Sequence, residues 1–236
     1  MSLFPDNKLS SYCVKLNTPI NLNGQWEVAL AEVSYPNNIF NVAEREADRA
    51  LVVGRPDGEQ QTVALSAGYY NSLESICSQL SSSCLPVGLS VSYSAKSVQI
   101  SRNDEKDGPL YISFPGRLAL LLGFHPHTLY EIRHDAIASE LIPDISAGIG
   151  HLYIYCNICE PQIVGDKYSR LLRILALGEP TGNTVQRDYT NLHYLSVAKD
   201  KTLSVIRIDL CTEDGQPVPF ADAGRVIVVL HFRRRI

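Results

Sequence analysis

Two cysteines three residues apart, Cys156-Asn157-Ile158-Cys159, have the spacing of a zinc-binding or dithiol redox motif. Thiolates at that interval can grip one soft metal or pass between dithiol and disulfide. An offset of three along a strand, however, sends the two side chains to opposite faces, and no second cysteine pair completes a zinc set. Cys13, Cys77, Cys84 and Cys211 are scattered, in a chain large enough to fold without staples. The six cysteines therefore read as reduced core thiols.

A second arrangement, His125-Pro126-His127-Thr128-Leu129-Tyr130-Glu131, matches the His-x-His and Glu spacing with which cupin enzymes bind iron, manganese or zinc. That chemistry needs an extended backbone pointing both rings inward. Here the motif follows directly on a helix stop at Gly123 and contains Pro126. Ala119 and Ala138 stand where glycines flank the cupin motif, and a downstream third histidine motif is not recognisable. The pair reads as two exposed loop histidines. His151, His193 and His231 lie on strand faces opposite apolar neighbours, where a hydrogen-bonding partner or solvent suits them better than a metal. A nucleophile elbow, a phosphate-cradling glycine loop and a dinucleotide fingerprint are all missing. No catalytic, cofactor-binding or metal residue is assigned, and the chain is not read as an enzyme.

The elements that would position such residues are strands. The organising stretch is Trp26-Glu27-Val28-Ala29-Leu30-Ala31-Glu32-Val33-Ser34-Tyr35, ended by Pro36. Trp26, Val28 and Leu30 share one parity and Val33 and Tyr35 the other, so the register changes near Ala31. Such a strand is covered on both sides or carries a bulge, as strands between two packed sheets do. It predicts a central strand, with the single Trp filling core at its start. Further strands are expected over 12–16, 50–53, 61–65, 89–93, 98–100, 110–114, 152–158, 171–177, 192–197, 203–210 and 225–232, with 171–177 buried on both faces. Leu73, Ile76, Cys77 and Leu80 mark one helix face, with Asn71 and Glu74 as a capping box. A compact apolar turn of helix over 117–122 opens at Pro115-Gly116 and stops at Gly123.

Hydrophobic residues make up 45% of the 236-residue chain and charged residues 19%, a globular balance. The formal net charge of -4 does not recommend specific nucleic-acid binding, and the one basic run, Arg233-Arg234-Arg235, reads as a solvated strand end. No apolar run reaches the roughly 18 residues of a membrane helix, and Met1-Ser2-Leu3-Phe4-Pro5-Asp6 is not a secretory signal. The expected architecture is all-β: a single jelly-roll β-sandwich of two antiparallel sheets, with one or two short helices, forming one domain over 1–236.

Three blocks together resemble a known family: 24–30 with Tyr35-Pro36-Asn37-Asn38; Tyr155-Cys156-Asn157-Ile158-Cys159-Glu160-Pro161-Gln162-Ile163-Val164-Gly165-Asp166; and His193-Tyr194-Leu195-Ser196-Val197 leading to 224–232. In combination and order they resemble the minor capsid, or penton, proteins of Maverick (Polinton) elements, adintoviruses and related virophages. The resemblance implies a structural virion protein, a homo-oligomeric pentamer plugging the fivefold vertices of an icosahedral capsid beside a double-jelly-roll major capsid protein. It implies assembly inside the host cell without secretion, and no cofactor or catalytic residue. Family members can carry an extra domain on the jelly roll, for which no segment here reads as long enough. Ring closure needs two different patches on one chain. The long aperiodic stretches His125 to Gly150 and Gly178 to Asn191 are the expected donors. The residues alone leave open a cupin-like metal enzyme and a carbohydrate-binding attachment module whose platform only Tyr residues could supply.

Overall fold

The computed structural model describes residues 7–42, 44, 48–103, 108–114, 116–146, 149–178, 183–198, 202–221 and 224–235. Pro115, expected to open the short helix over 117–122, lies outside the described residues. The chain falls into two compact units, Met1–Ile39 with Ile149–Ile236, and Phe40–Gly148. Each closes around its own hydrophobic core.

The chain starts the first unit with β1 (Ser11–Asn21) and β2 (Trp26–Pro36). It then builds the second from β3 (Ala50–Gly54), β4 (Gln60–Ala64), α1 (Leu73–Cys84), β5 (Leu89–Ser94), β6 (Ser97–Arg102), β7 (Leu110–Ser113), α2 (Arg117–Leu122), β8 (Leu129–Ile132) and β9 (Ile137–Ala138). The first unit resumes with β10 (His151–Cys156), β11 (Gln162–Val164), β12 (Lys167–Ser169), β13 (Leu171–Ala176), β14 (Thr184–Asp188), β15 (Leu195–Ser196), β16 (Thr202–Cys211) and β17 (Ile227–Arg234).

In the first unit one antiparallel sheet runs β1-β16-β10-β13. The other is centred on β2, with β17 along one edge and β14 and β15 sharing the other. Successive strands alternate between the two sheets, β1 to β2 and β16 to β17, which is the winding of a jelly roll. The parity switch in β2 is a bulge. Val229 of β17 pairs with Glu32 and Leu230 with Leu30, so Ala31 is the extra residue. The insertion lets Val28 and Leu30 before it and Val33 and Tyr35 after it all enter the same core. The Ala31 carbonyl accepts the Tyr189 N–H at 2.9 Å, so the bulge leaves no orphan there.

Three expectations are corrected in this unit. Trp26 is half-buried rather than a core residue; its indole N–H donates to the Asn23 carbonyl at 3.2 Å. β13 is a sheet edge, with Ile174 exposed, so the apolar run 171–177 is not covered on both faces. β10 stops at Cys156, because Asn157 and Ile158 turn the chain before it reaches Cys159.

The second unit contains the sheets β4-β3-β7-β8 and β5-β6-β9 with both helices. α1 buries Ile76, Cys77, Leu80 and Cys84 on one face. Its cap is Ser72, whose hydroxyl accepts the Ser75 N–H, rather than Asn71. Phe114 and Phe124 stack at 4.7 Å between ring centroids, with Tyr130 edge-on to both. Gly123, at φ +79°, ends α2 as expected. Later chain packs against it: Leu141 N–H donates to the Gly123 carbonyl at 2.9 Å, and a Cβ at Gly123 would meet the Leu141 carbonyl oxygen.

Gly165, also left-handed at φ +63°, has open space where a Cβ would stand. Gly165→Ala then carries only the left-handed penalty of about 1 kcal/mol. Gly123→Ala adds a backbone collision and is expected to cost at least about 2 kcal/mol more. Urea denaturation of the two variants side by side measures the difference; equal losses would show that the Gly123–Leu141 packing yields freely.

Candidate functional site

The histidine motif does not converge. His127 occupies a turn at φ +60°, and its N–H is spent on the Phe114 carbonyl at 3.0 Å. His125 Nε2 faces Glu140 Oε2 at 3.4 Å, and Glu131 is held by Arg133 at 2.5 Å. His125 and Glu131 thus face different partners, and no cluster of three metal-ligating side chains occurs among the described residues. The remaining expected histidines behave as hydrogen-bonding groups. His151 Nδ1 meets Glu213 Oε1 at 2.6 Å, and His231 Nδ1 meets the Tyr194 hydroxyl at 3.0 Å. His193 lines a surface cavity of about 680 Å³ together with Ile163, Ile174 and Leu192.

The two thiols of Cys156 and Cys159 come together. The sequence reading separated them by assuming strand geometry through Cys159, whereas the turn folds the second cysteine back onto the first. The Cys159 N–H donates to the Cys156 carbonyl at 3.3 Å, and the side chains hydrogen-bond to each other. Both residues are buried, at 1% and 0% exposure. The Cys159 thiol hydrogen bond holds Cys156 below the ordinary thiol range, outweighing burial; the same bond and burial push Cys159 up. Cys77 and Cys84 are pushed up to about 12, chiefly by burial on α1.

The basic run is tied into the sheet. Arg233 lies over the Tyr194 ring at 3.5 Å, and its Nε donates to Glu27 Oε2 at 2.6 Å. Arg235 donates its backbone N–H to the Gln25 carbonyl at 2.8 Å. This end of β17 is therefore clamped to the start of β2.

What the surface offers instead of chemistry is exposed apolar side chains. Leu129, Leu141 and Ile142 fall in the stretch from His125 to Gly150, where Ile142 is 85% exposed. That stretch is less irregular than expected, since it contains β8 and β9. The second expected stretch, Gly178 to Asn191, is not a free loop: β14 within it pairs with β2, and 179–182 lie outside the described residues. Sequence reading missed the small ribbon β11–β12, in which Ile163 and Tyr168 pair directly and are both exposed, Tyr168 at 76%. Its signal was present as Gly165-Asp166 between two short β-formers.

Compared with solved structures, the chain is similar to the crystal structure of the selenomethionine-labelled mavirus penton protein, with a TM-score of 0.55 and 11% sequence identity. The match covers 94% of this chain and 90% of that chain. No family model and no curated protein matches. At this identity the likeness establishes the fold, and at that level the resemblance drawn from the three sequence blocks is borne out.

Because His125 and Glu131 have separate partners and His127 sits in a turn, dialysis against a chelator is expected to leave the melting temperature unchanged. Elemental analysis of His125→Ala and His127→Ala chains is expected to match the parent. Metal bound stoichiometrically and lost in either variant would restore the cupin-like reading.

Proposed function

We propose that this chain is a penton, or minor capsid, protein: a jelly-roll subunit that forms pentamers at the fivefold vertices of an icosahedral capsid, beside a double-jelly-roll major capsid protein. The observation that carries the reading is the extent of the likeness to the mavirus penton protein. Coverage of 94% is impossible without Phe40–Gly148, so the similarity embraces the second unit as well as the sandwich. A generic sandwich match would leave that unit out.

The rest of the molecule agrees with a role built on surface. His125, His151, His231 and Arg233 are engaged in local contacts. The exposed apolar groups sit at separate places, Ile142 in the second unit and the Ile163–Tyr168 pair in the first. Head-to-tail rings need two unlike patches, and separate apolar sites meet that requirement. The proposed location is the capsid vertex of a virion, with assembly inside the host cell rather than after secretion. No helix among the described residues is long and apolar enough to cross a membrane.

Light scattering over a concentration series, alone and with the major capsid protein, tests this. The expected species has five times the 26.1 kDa chain mass. Ile142→Asp places a charge on a side chain that contributes little to the core, so circular dichroism should not change. Since burying one such side chain contributes about 1.5–3 kcal/mol, each affected contact should weaken by at least roughly tenfold. A chain that stays monomeric at every concentration, both alone and with the major capsid protein, would overturn the proposal.

A further inference from the structure

We infer that Cys156 and Cys159 form an oxidisable dithiol, which hydrogen peroxide converts to a disulfide closing the turn at the end of β10. This inference is independent of the capsid reading.

The geometry comes first. A four-residue turn closed by a hydrogen bond from its last N–H to its first carbonyl keeps the end Cα atoms within about 7 Å, which overlaps the range a disulfide spans. The Cys159 N–H to Cys156 carbonyl bond at 3.3 Å makes this such a turn, and the two thiols are near enough that each shifts the other's acidity. The frame around them is fixed. The Asn157 side chain donates to the Val205 carbonyl at 3.1 Å and accepts the Arg207 N–H at 2.8 Å. Arg170 donates from its guanidinium to the Asn157 carbonyl, and its own carbonyl accepts the Cys156 N–H at 3.0 Å. The thiols are therefore held in register by neighbours on both sides, and bond formation requires no rearrangement of the sheet.

Reactivity is divided between the two sulfurs. Cys156 receives the thiol hydrogen bond and is the more acidic member, hence the nucleophile; Cys159 retains its proton and resolves. Cys77 and Cys84 are buried on α1, and burial, which pushes them up to about 12, leaves them protonated. Access comes through the cover. Cys159 bridges Val197, next to the two-residue strand β15, and a cavity of about 220 Å³ lined by Asn157, Ile158, Val197 and Ala198 reaches the same turn. A short strand opens locally at low cost, and the oxidant is small.

The step balances. The Cys156 thiolate attacks one peroxide oxygen, breaking the O–O bond, and becomes a sulfenic acid; the departing hydroxide takes a proton and leaves as water. The Cys159 sulfur then attacks the Cys156 sulfur, losing its proton as the S–O bond breaks, and the second oxygen leaves as water. Two thiols and one peroxide thus give one disulfide and two waters.

The test uses the reduced full chain, treated in native buffer with hydrogen peroxide, quenched with catalase, then denatured, alkylated and mapped by mass spectrometry. The expected product has four of its six cysteines alkylated, with Cys156 and Cys159 joined within one chain and recovered by dithiothreitol. Cys159→Ser is expected to leave a sulfenic acid at Cys156 that dimedone captures, while Cys156→Ser leaves Cys159 open to alkylation. Full alkylation after peroxide, a bridge to any other cysteine or another chain, or direct oxidation of Cys156 to sulfinic acid in the parent would overturn the inference. The parent chain alone decides these outcomes, whatever the variants do to folding.

Discussion

The bulge at Ala31 is the constraint on which the first unit depends. β2 hydrogen-bonds along both edges, to β17 on one and to β14 and β15 on the other, so its register sets that of three other strands. An unbroken strand would send Val33 and Tyr35 away from the core that receives Val28 and Leu30. One extra residue corrects this and concentrates twist where the sheet must wrap over its partner. Tyr35 is among the largest fully buried side chains, so the residues beyond the bulge are as much part of the core as those before it. Pairing with β17 stops at Ser34, and Pro36, opposite Thr184 of β14, is the last residue of β2.

Much of this was legible because the core of a sandwich writes itself into parity. The switch at Ala31, the alternation of 152–156 and the i, i+3, i+4 rhythm of α1 are patterns of burial, and burial decided them. What failed followed from features that periodicity does not encode. Trp26 was assigned to the core by size, but it is the first residue of β2 and keeps its indole N–H on Asn23 at the rim. The run 171–177 is apolar on both parities, yet β13 is an edge strand, and an exposed Ile174 looks in sequence like a buried one. The thiol pair was misjudged for a related reason. Its position relative to the strand end, rather than its spacing, decides whether the sulfurs meet.

Side chains that suggest chemistry in the sequence serve chiefly to hold strands together. Arg233 joins β17 to β2 through Glu27 and covers Tyr194, while His231 receives the same Tyr194 hydroxyl. A guanidinium with a carboxylate on one side and an aromatic face on the other has little capacity left for phosphate. His151 and Glu213 likewise connect the start of β10 to the turn after β16. Charges in these places are partly exposed, so their value is specificity of register more than stability.

The clamp on β17 has a further consequence. Among the described residues β17 pairs only with β2, so its other edge presents open backbone groups along a strand rich in Val, Ile and Leu. Such an edge would recruit other chains indiscriminately unless its conformation and charge oppose it. Val228, Leu230 and Phe232 turn into the core, while Arg233 faces outward, so an incoming strand meets a cation beside the open ladder. Arg233, Arg234 and Arg235 concentrate that charge at one end of the strand, and Arg233 is kept in place by Glu27 and Tyr194. The basic run is best understood as edge protection. It opposes indiscriminate strand addition along this edge.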